Sequence, residues 1–343
     1  MRITWSSRVL RWCAVLVVAA VSVSACGRAG GADTDRDQAA KDGLALTAFT
    51  SSQPGWNAVI PAFLASPQGA GIKIEPTYGG SGVLVQNIKD GKPADIVNLA
   101  DAPSIDQLVQ ADKVTRDWNA GTAAGSPFGS VVTFVVREGN PKNIHNWGDL
   151  LQPGLQVVTA NPVLTGSGKW GLVAGYAVMS NGGQDPAAGM AFLNALVLEH
   201  IKGAGPGTGR EAADNFANGA GDVLLTTEAN ALELERAGKS VEHVIPPQTL
   251  RVDNVVAVVE DGPHVDAASR LNDFLYTADA QRLWARAGFR PTDPAVVAEF
   301  AGQYPAPEKL WTVADLGGWR SIDPKFFDSE NGAVTKIFNQ AVS

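Results

Sequence analysis

Two stretches of the sequence combine hydroxyl side chains with glycines in a pattern that could bind an anion. In residues 157–170, the β-branched end of a strand is broken by Asn161-Pro162, and Thr165 then stands where a helix would begin. The first amides of a helix have no intrahelical partner and lie at the positive end of the helix dipole. A helix that starts within Thr165-Gly166-Ser167 is therefore predicted to hold an oxyanion by amide and hydroxyl donors.

A second copy of the pattern lies upstream, in residues 72–82, where a short strand runs into Gly79-Gly80-Ser81-Gly82. One copy alone is more often an ordinary turn before a capped helix than a binding site. Two copies in the same strand-to-helix context favour binding, because one anion could receive donors from both segments. The pair predicts a two-lobed protein with its ligand between the lobes.

Composition agrees with a globular protein and argues against nucleic acid as a partner. The chain has 343 residues, long enough for two domains, of which 45% are hydrophobic and 18% are charged. Its formal net charge is −8, and no cluster of basic residues is present to neutralise phosphates. Affinity for an anion would have to come from local dipoles and hydroxyls rather than from a long-range field.

The first 25 residues are predicted to be a lipoprotein signal peptide. Three arginines precede an apolar run over residues 12–23, which is short for a membrane span. Small residues then precede Cys26, as in a bacterial lipobox, so Cys26 is predicted to carry lipid and to anchor the chain at the extracytoplasmic face of the cell membrane. Residues 26–43 are predicted to be a flexible tether. A soluble secreted protein and an uncleaved anchor are the alternatives.

Strand and helix patterns alternate along the chain and predict an α/β fold with doubly wound, mostly parallel sheets flanked by helices. The first lobe is assigned to residues 44–130 and about 260–343, where helical patterns dominate, and the second lobe to about 131–259. Ligands of such sheets bind at the carboxyl ends of strands. Thr50 and Ser51, which follow the first strand, are therefore candidate binding residues.

A serine hydrolase that uses Ser81 or Ser167 is the main alternative of another class. A nucleophilic serine needs a base oriented by a third group, and the contexts of the four histidines contain no triad pattern. No His or Cys pair has the spacing of metal ligands, and the four tyrosines are isolated. The sequence therefore predicts a binding protein with no catalytic residue, metal or cofactor.

The chain also resembles the bacterial sulfate-binding proteins and lipoproteins that serve ATP-driven importers of sulfate and thiosulfate. The likeness runs from about residue 46 to the end and depends on the order and spacing of short motifs. They are Gly79-Gly80-Ser81-Gly82, Ala94-Asp95-Ile96-Val97, residues 136–142, Asn161-Pro162 with Lys169-Trp170, Gly221-Asp222-Val223-Leu224, Arg290-Pro291 and Gly317-Gly318-Trp319. The resemblance implies a two-lobed periplasmic-binding-protein fold of type II, which closes on sulfate, acts as a monomer and docks on the permease subunits of an ABC importer.

The resemblance also implies roles for individual residues. Ser81 takes the place of a serine that donates through hydroxyl and amide, and Thr165-Gly166-Ser167 takes the place of a Ser-Gly-Gly at the second helix. A backbone donor of the family falls on Gly207-Thr208-Gly209-Arg210, with the arginine displaced by one position. Thr227 stands where the family has an indole donor, so a water or Arg210 is expected beside it, and Thr50 stands where the family has an aspartate.

The predicted donors favour a fully ionised anion. Hydrogen phosphate carries a proton that needs an acceptor, whereas sulfate carries none, and a carboxylate would repel it. Asp101 and Glu228, near strand ends, are the residues that could reverse this preference. Thiosulfate, molybdate and tungstate are also tetrahedral and ionised, so these anions and phosphate remain alternatives to sulfate.

Overall fold

The computed structural model describes residues 43–121, 123–201 and 207–342. The predicted signal peptide, Cys26 and all of the predicted tether except Gly43 lie outside the described residues. Within the described residues, no helix is long and apolar enough to cross a membrane.

The elements follow the predicted alternation closely. The strands are β1 Leu44–Phe49, β2 Ile74–Gly79, β3 Ile96–Leu99, β4 Phe128–Arg137, β5 Val157–Val158, β6 Val223–Thr227, β7 Val241–Val244, β8 Gln248–Val258, β9 Arg290–Pro291 and β10 Lys309–Trp311. The α-helices are α1 Gln53–Ala65, α2 Ser81–Lys89, α3 Ala102–Gln110, α4 Gly166–Met179, α5 Pro186–Ala195, α6 Gly209–Ala217, α7 Glu228–Arg236, α8 Val265–Leu275, α9 Ala278–Ala287, α10 Pro294–Glu299, α11 Trp319–Phe327 and α12 Ala333–Val342. Short 3₁₀ turns span Thr50–Ser52, Trp147–Leu151 and Val313–Leu316, and a π turn spans Leu196–His200.

The first lobe is built on three parallel strands, as predicted. β1 lies between β2 and β3, with Phe49 opposite Gly79 and Ala48 opposite Asn98. The buried apolar residues of β1 pack with Trp56 and Phe63 of α1 into one core cluster. Since the three strands run the same way, their carboxyl ends bring the residues after Phe49, Gly79 and Leu99 to one edge of the sheet.

Two long strands connect the lobes, and they make the sheet mixed rather than mostly parallel. β8 pairs antiparallel with β3 through residues 255–258 and with β4 through residues 251–254. β4 continues beyond this contact to pair antiparallel with β6 and β7. The antiparallel pairing follows from the chain path, because β4 leaves the first lobe and β8 returns to it. The binding-protein architecture is as predicted. The directions of the central strands correct the prediction, because β8 runs antiparallel to both β3 and β4.

The C-terminal helices divide between the two lobes. Residues of α8 and α9, including Trp284, pack in the first-lobe cluster, as expected. Residues of α11 and α12, including Phe326 and Phe338, instead join the cluster that contains Trp147 and Trp170. The assignment of everything after about residue 260 to the first lobe is therefore wrong for α11 and α12. The apolar faces of these helices predict that they are buried but do not identify the surface on which they pack. The second lobe provides aromatic side chains such as Trp170, whose ring centre lies 4.9 Å from that of Trp319.

Candidate anion-binding site

A small crevice lies where the starts of three helices meet the end of β1. Seven of the predicted binding residues line it. Its lining residues are Phe49, Thr50, Ser51, Gly79, Gly80, Ser81, Ala100, Thr165, Gly166, Ser167, Thr208 and Gly209. The two copies of the strand-to-helix pattern therefore face one another, on opposite sides of the same space.

Ser81 is positioned to donate its hydroxyl proton into this crevice. It is 2% exposed and is the first residue of α2, which has glycine as its N-cap and no side-chain cap. Ser81 Oγ accepts a hydrogen bond from the Ala100 amide at 3.0 Å. A hydroxyl that accepts one bond still has its own proton to donate. Helix geometry also leaves the Ser81 and Gly82 amides without intrahelical acceptors.

The Thr165 hydroxyl caps the helix and does not donate into the crevice. Its Oγ1 accepts from the Gly168 amide at 3.2 Å and donates to the Asn161 carbonyl at 2.7 Å. The proton that was expected to face the ligand is thus engaged, which corrects the role implied for Thr165. The cap leaves the amides of Gly166 and Ser167, the first two helical residues, as donors of α4. The Ser167 hydroxyl lies beside them and donates to Thr165 Oγ1 over 3.5 Å.

The start of α6 completes the ring of helix ends. Thr208 forms a capping box with Glu211: Thr208 Oγ1 accepts from the Glu211 amide at 3.2 Å, and the Glu211 carboxylate accepts from the Thr208 amide. Gly209 follows as the first helical residue, and a Cβ there would lie 3.1 Å from Ser167 Oγ. Glycine at this position lets the backbone of α6 approach α4 closely. Gly209 belongs to the stretch Gly207-Thr208-Gly209-Arg210, in which the resemblance implies a backbone donor.

The crevice is closed, with direct contacts across it. Trp170 Nε1 of α4 donates to the carbonyl of Ala100, at the end of the first lobe's sheet, at 2.7 Å. A Cβ on Gly166 would lie 2.4 Å from Asp101 Oδ2, and one on Gly82 would lie 3.1 Å from the Leu164 carbonyl. Glycines therefore allow the lobes to meet at the distance seen here.

A second compartment adjoins the crevice and shares four of its lining residues. Its lining residues are Phe49, Ser51, Ala100, Ser167, Trp170, Thr227, Asn230, Val252, Asn254 and Phe289. Thr227 lies here, as the residue before α7, and makes no side-chain capping bond. The sequence reasoning missed Asn230 and Asn254. The available signal was Asn254 itself, a polar residue next to the apolar run of β8.

Comparison with known proteins agrees with this architecture. The family described as bacterial extracellular solute-binding protein matches residues 48–290. The chain belongs to this family. A sulfate-binding protein of Synechococcus elongatus is 30% identical over all of this chain and 99% of that protein, and a thiosulfate-binding protein of Pseudomonas aeruginosa is 30% identical over 83% and 87% of the two chains. The sulfate-binding protein SubI of Mycobacterium tuberculosis has a solved structure with TM-score 0.81 and 54% identity, covering 83% of this chain and 99% of that one. The resemblance predicted from the motifs is confirmed.

The charged candidates of this solute-binding protein are not among the residues that line the crevice. Arg210 pairs with Glu233 of α7 at 2.5 Å, so it does not fill the space beside Thr227. Glu228 binds Arg290 through two hydrogen bonds of 2.6 and 2.9 Å. Asp101 accepts from both the amide and the hydroxyl of Ser104 through Oδ1, whereas its buried Oδ2 has no hydrogen-bond partner among the described residues and lies next to Gly166. The described residues that line the two compartments are hydroxyl, amide, glycine and apolar residues, without a carboxylate.

Lys169, near the start of α4, forms an ion pair with a residue of α11. Its ammonium is 2.6 Å from Asp323 of α11, and the side chain is 12% exposed. Burial lowers the pKa of Lys169, but the charges of Asp101 and Asp323 outweigh it and raise the pKa above its ordinary value. The ion pair therefore fixes a positive charge behind the α4 amides and ties them to the C-terminal helices.

The histidines have partners outside the crevice. His145 lies by Asn143, His200 by the Leu155 carbonyl, His243 by Glu235 and His264 by Asp95. No group of three or more potential metal ligands occurs within residues 43–121, 123–201 and 207–342.

Proposed function

We propose that this extracellular solute-binding protein captures sulfate in the crevice and delivers it to an ABC importer. The observation that carries the proposal is the convergence of three helix starts and the Ser81 hydroxyl on one small space, whose described lining residues include no carboxylate. Helix amides give fixed, oriented donors, and donors to a charged acceptor form the stronger hydrogen bonds. Such a site can replace the water of a dianion without a charged side chain in contact with it.

The choice of sulfate over phosphate follows from the protonation of the two anions. Hydrogen phosphate needs an acceptor for its proton, and the crevice offers Ser81, Gly166 and Ser167 as donors. The relatives named as sulfate- and thiosulfate-binding proteins support the same class of ligand. Thiosulfate is the second candidate, because a relative that is 30% identical to this chain is named as a thiosulfate-binding protein. Molybdate and tungstate are the remaining tetrahedral alternatives.

The proposal includes the fate of the ligand and the location of the protein. The family is extracellular, and Cys26 would hold the mature chain on the outer face of the cell membrane through lipid. Sulfate would favour the closed form because it receives donors from both lobes at once. A monomer in this form would dock on the permease subunits, as a binder and not an enzyme.

A calorimetric panel of anions tests the ligand. The purified mature chain should bind sulfate with an affinity that is constant across neutral pH, since neither sulfate nor its donors titrate there. Phosphate should fail to compete, and molybdate should bind more weakly. Strong competition by phosphate would contradict the donor-only site, whereas preference for thiosulfate would move the assignment to the second candidate.

Cell fractionation tests the anchor. Cys26→Ala should abolish lipid labelling and release the protein from the membrane fraction, while a variant with Cys13→Ala should stay lipidated because that residue lies within the predicted signal peptide. Membrane retention of the Cys26→Ala variant would contradict the proposed lipid anchor.

A further inference from the structure

The second compartment contains a buried asparagine whose side-chain oxygen lacks a hydrogen-bond partner in the described part of the chain. Asn254 of β8 is 4% exposed, and within the described residues its Oδ1 has no hydrogen-bond partner. The side chain lines the compartment together with Ser51, Ser167 and Thr227. Buried polar atoms without partners are rare in folded proteins, so this one calls for an explanation.

Two other buried asparagines have side-chain amides that are fixed by hydrogen bonds. Asn98 Oδ1 accepts from Trp56 Nε1 at 2.9 Å, and its Nδ2 donates to the Val255 carbonyl at 3.0 Å. Asn230 Nδ2 donates to Thr226 Oγ1 at 2.9 Å. No comparable bond holds Asn254 Oδ1 in its present direction. Rotation about the last side-chain bond therefore exchanges Oδ1 and Nδ2 without breaking a bond to Oδ1.

The position of Asn254 suits a ligand that spans both compartments. The helix amides and Ser81 lie around the first compartment, while Asn254 lies on the strand that crosses between the lobes, on the same face as Val252. An oxygen of a tetrahedral anion that points toward the second compartment would meet Asn254. If Oδ1 faced it, two acceptors would oppose one another, whereas Nδ2 would donate to it.

We propose that Asn254 contacts the bound oxyanion by donating from Nδ2 to the oxygen that points into the second compartment. The inference rests on the proposed function, since it places an oxyanion at the helix starts. It assigns a donor for the place where the resemblance implies an indole and where the short side chain of Thr227 stands. Nδ2 donates to an oxygen without a proton, and every oxygen of sulfate is of this kind.

Two substitutions of Asn254 in the mature chain test this role by calorimetry with sulfate and with phosphate. Asn254→Ala removes the donor, and the sulfate dissociation constant should rise about ten-fold or more. Asn254→Asp replaces the donor with a carboxylate of nearly the same shape, so sulfate binding should fall further. The ratio of phosphate to sulfate affinity should rise in Asn254→Asp, because the carboxylate accepts the proton of hydrogen phosphate.

Asn272→Asp is the matched control. Asn272 of α8 also has an Oδ1 without a partner in the described part of the chain, and it lies outside both compartments. The same chemical change there should leave both affinities unchanged. Thermal unfolding of each variant reports whether the fold is retained.

The possible outcomes separate this inference from the proposed function. If wild type binds sulfate and Asn254→Ala binds it within about two-fold, the inference is wrong and the proposed function stands. A lower melting temperature in both variants with no change of anion preference would assign Asn254 a structural role and overturn the inference. If wild type binds no sulfate, the proposed function fails and the role of Asn254 fails with it.

Discussion

The starts of α2 and α4 use similar residues in different ways. At α2 the N-cap is glycine and the hydroxyl belongs to Ser81, the first helical residue, where it accepts from the Ala100 amide and keeps its proton. At α4 the hydroxyl comes one position earlier, on the N-cap Thr165, where it accepts from the Gly168 amide and donates to Asn161. One position along the chain thus decides whether a hydroxyl serves the ligand or the helix.

The largest effect is expected from Gly166→Ala, which tests whether α4 contributes through its backbone. A Cβ at Gly166 would lie 2.4 Å from Asp101 Oδ2, and the same carboxyl group is held by Ser104. The lobes would have to separate, and overpacking of about 3 kcal/mol corresponds to a loss of sulfate affinity on the order of 100-fold. Calorimetry measures the loss, and small-angle scattering should show no compaction on addition of sulfate.

Gly302→Ala is the control for this change, because a Cβ at Gly302 would have no heavy atom of the described residues within 4 Å. It should bind sulfate and compact like wild type. Wild-type affinity in Gly166→Ala would mean that the lobes do not close at this contact when the anion binds.

Ser81→Ala should have the next largest effect, because it removes the hydroxyl that faces the ligand while the α2 amides remain. A donor to a charged group is worth roughly 1.5–3 kcal/mol, or about ten- to 150-fold in the dissociation constant. Titration calorimetry measures it, with Ser66→Ala as control, since the Ser66 hydroxyl donates to the Phe63 carbonyl at the end of α1. Unchanged affinity in Ser81→Ala would contradict the difference between the two helix starts.

The sequence predicts the site as far as local pattern determines it. A strand, glycines and a hydroxyl before a helix are local features, so both helix starts and their meeting at the strand ends could be predicted. The use of each hydroxyl depends on tertiary partners, such as the Ala100 amide for Ser81. Likewise, the pairing of β8 with β4 turns Asn254 to the second compartment, and the packing of α11 on the second lobe brings Asp323 to Lys169. No local pattern contains these contacts.

Thr165→Ala should affect stability more clearly than binding. Loss of an N-cap typically costs about 0.5–2 kcal/mol in the free energy of unfolding, and Thr165→Ser should restore most of it. Sulfate affinity should fall only slightly, because the lost hydroxyl donates to Asn161 and not to the ligand. Chemical denaturation and calorimetry measure the two quantities. A loss of affinity as large as that of Ser81→Ala would show that Thr165 is a ligand donor, as the resemblance implies.

The smallest effect is expected from Lys169→Met, which tests the support behind α4. Asp101 and Asp323 raise the pKa of Lys169 above its ordinary value of 10.5, although burial opposes them. A group whose pKa is higher in the folded than in the unfolded state contributes stability that is complete below the unfolded pKa. That contribution is lost as the pH rises through the folded pKa, so the loss should begin above pH 10.5.

The free energy of unfolding of wild type should therefore fall more steeply than that of Lys169→Met above that pH. The difference should be about 1 kcal/mol, since the pair is partly exposed. Burial also raises the pKa of Tyr78 to about 12, but this residue is common to both proteins and its contribution cancels in the difference. Urea denaturation of both proteins at a series of alkaline pH values measures this difference in the free energy of unfolding. Parallel pH profiles would mean that the α4 amides keep their position without the Lys169–Asp323 pair, and that both helix starts are held by their local contacts alone.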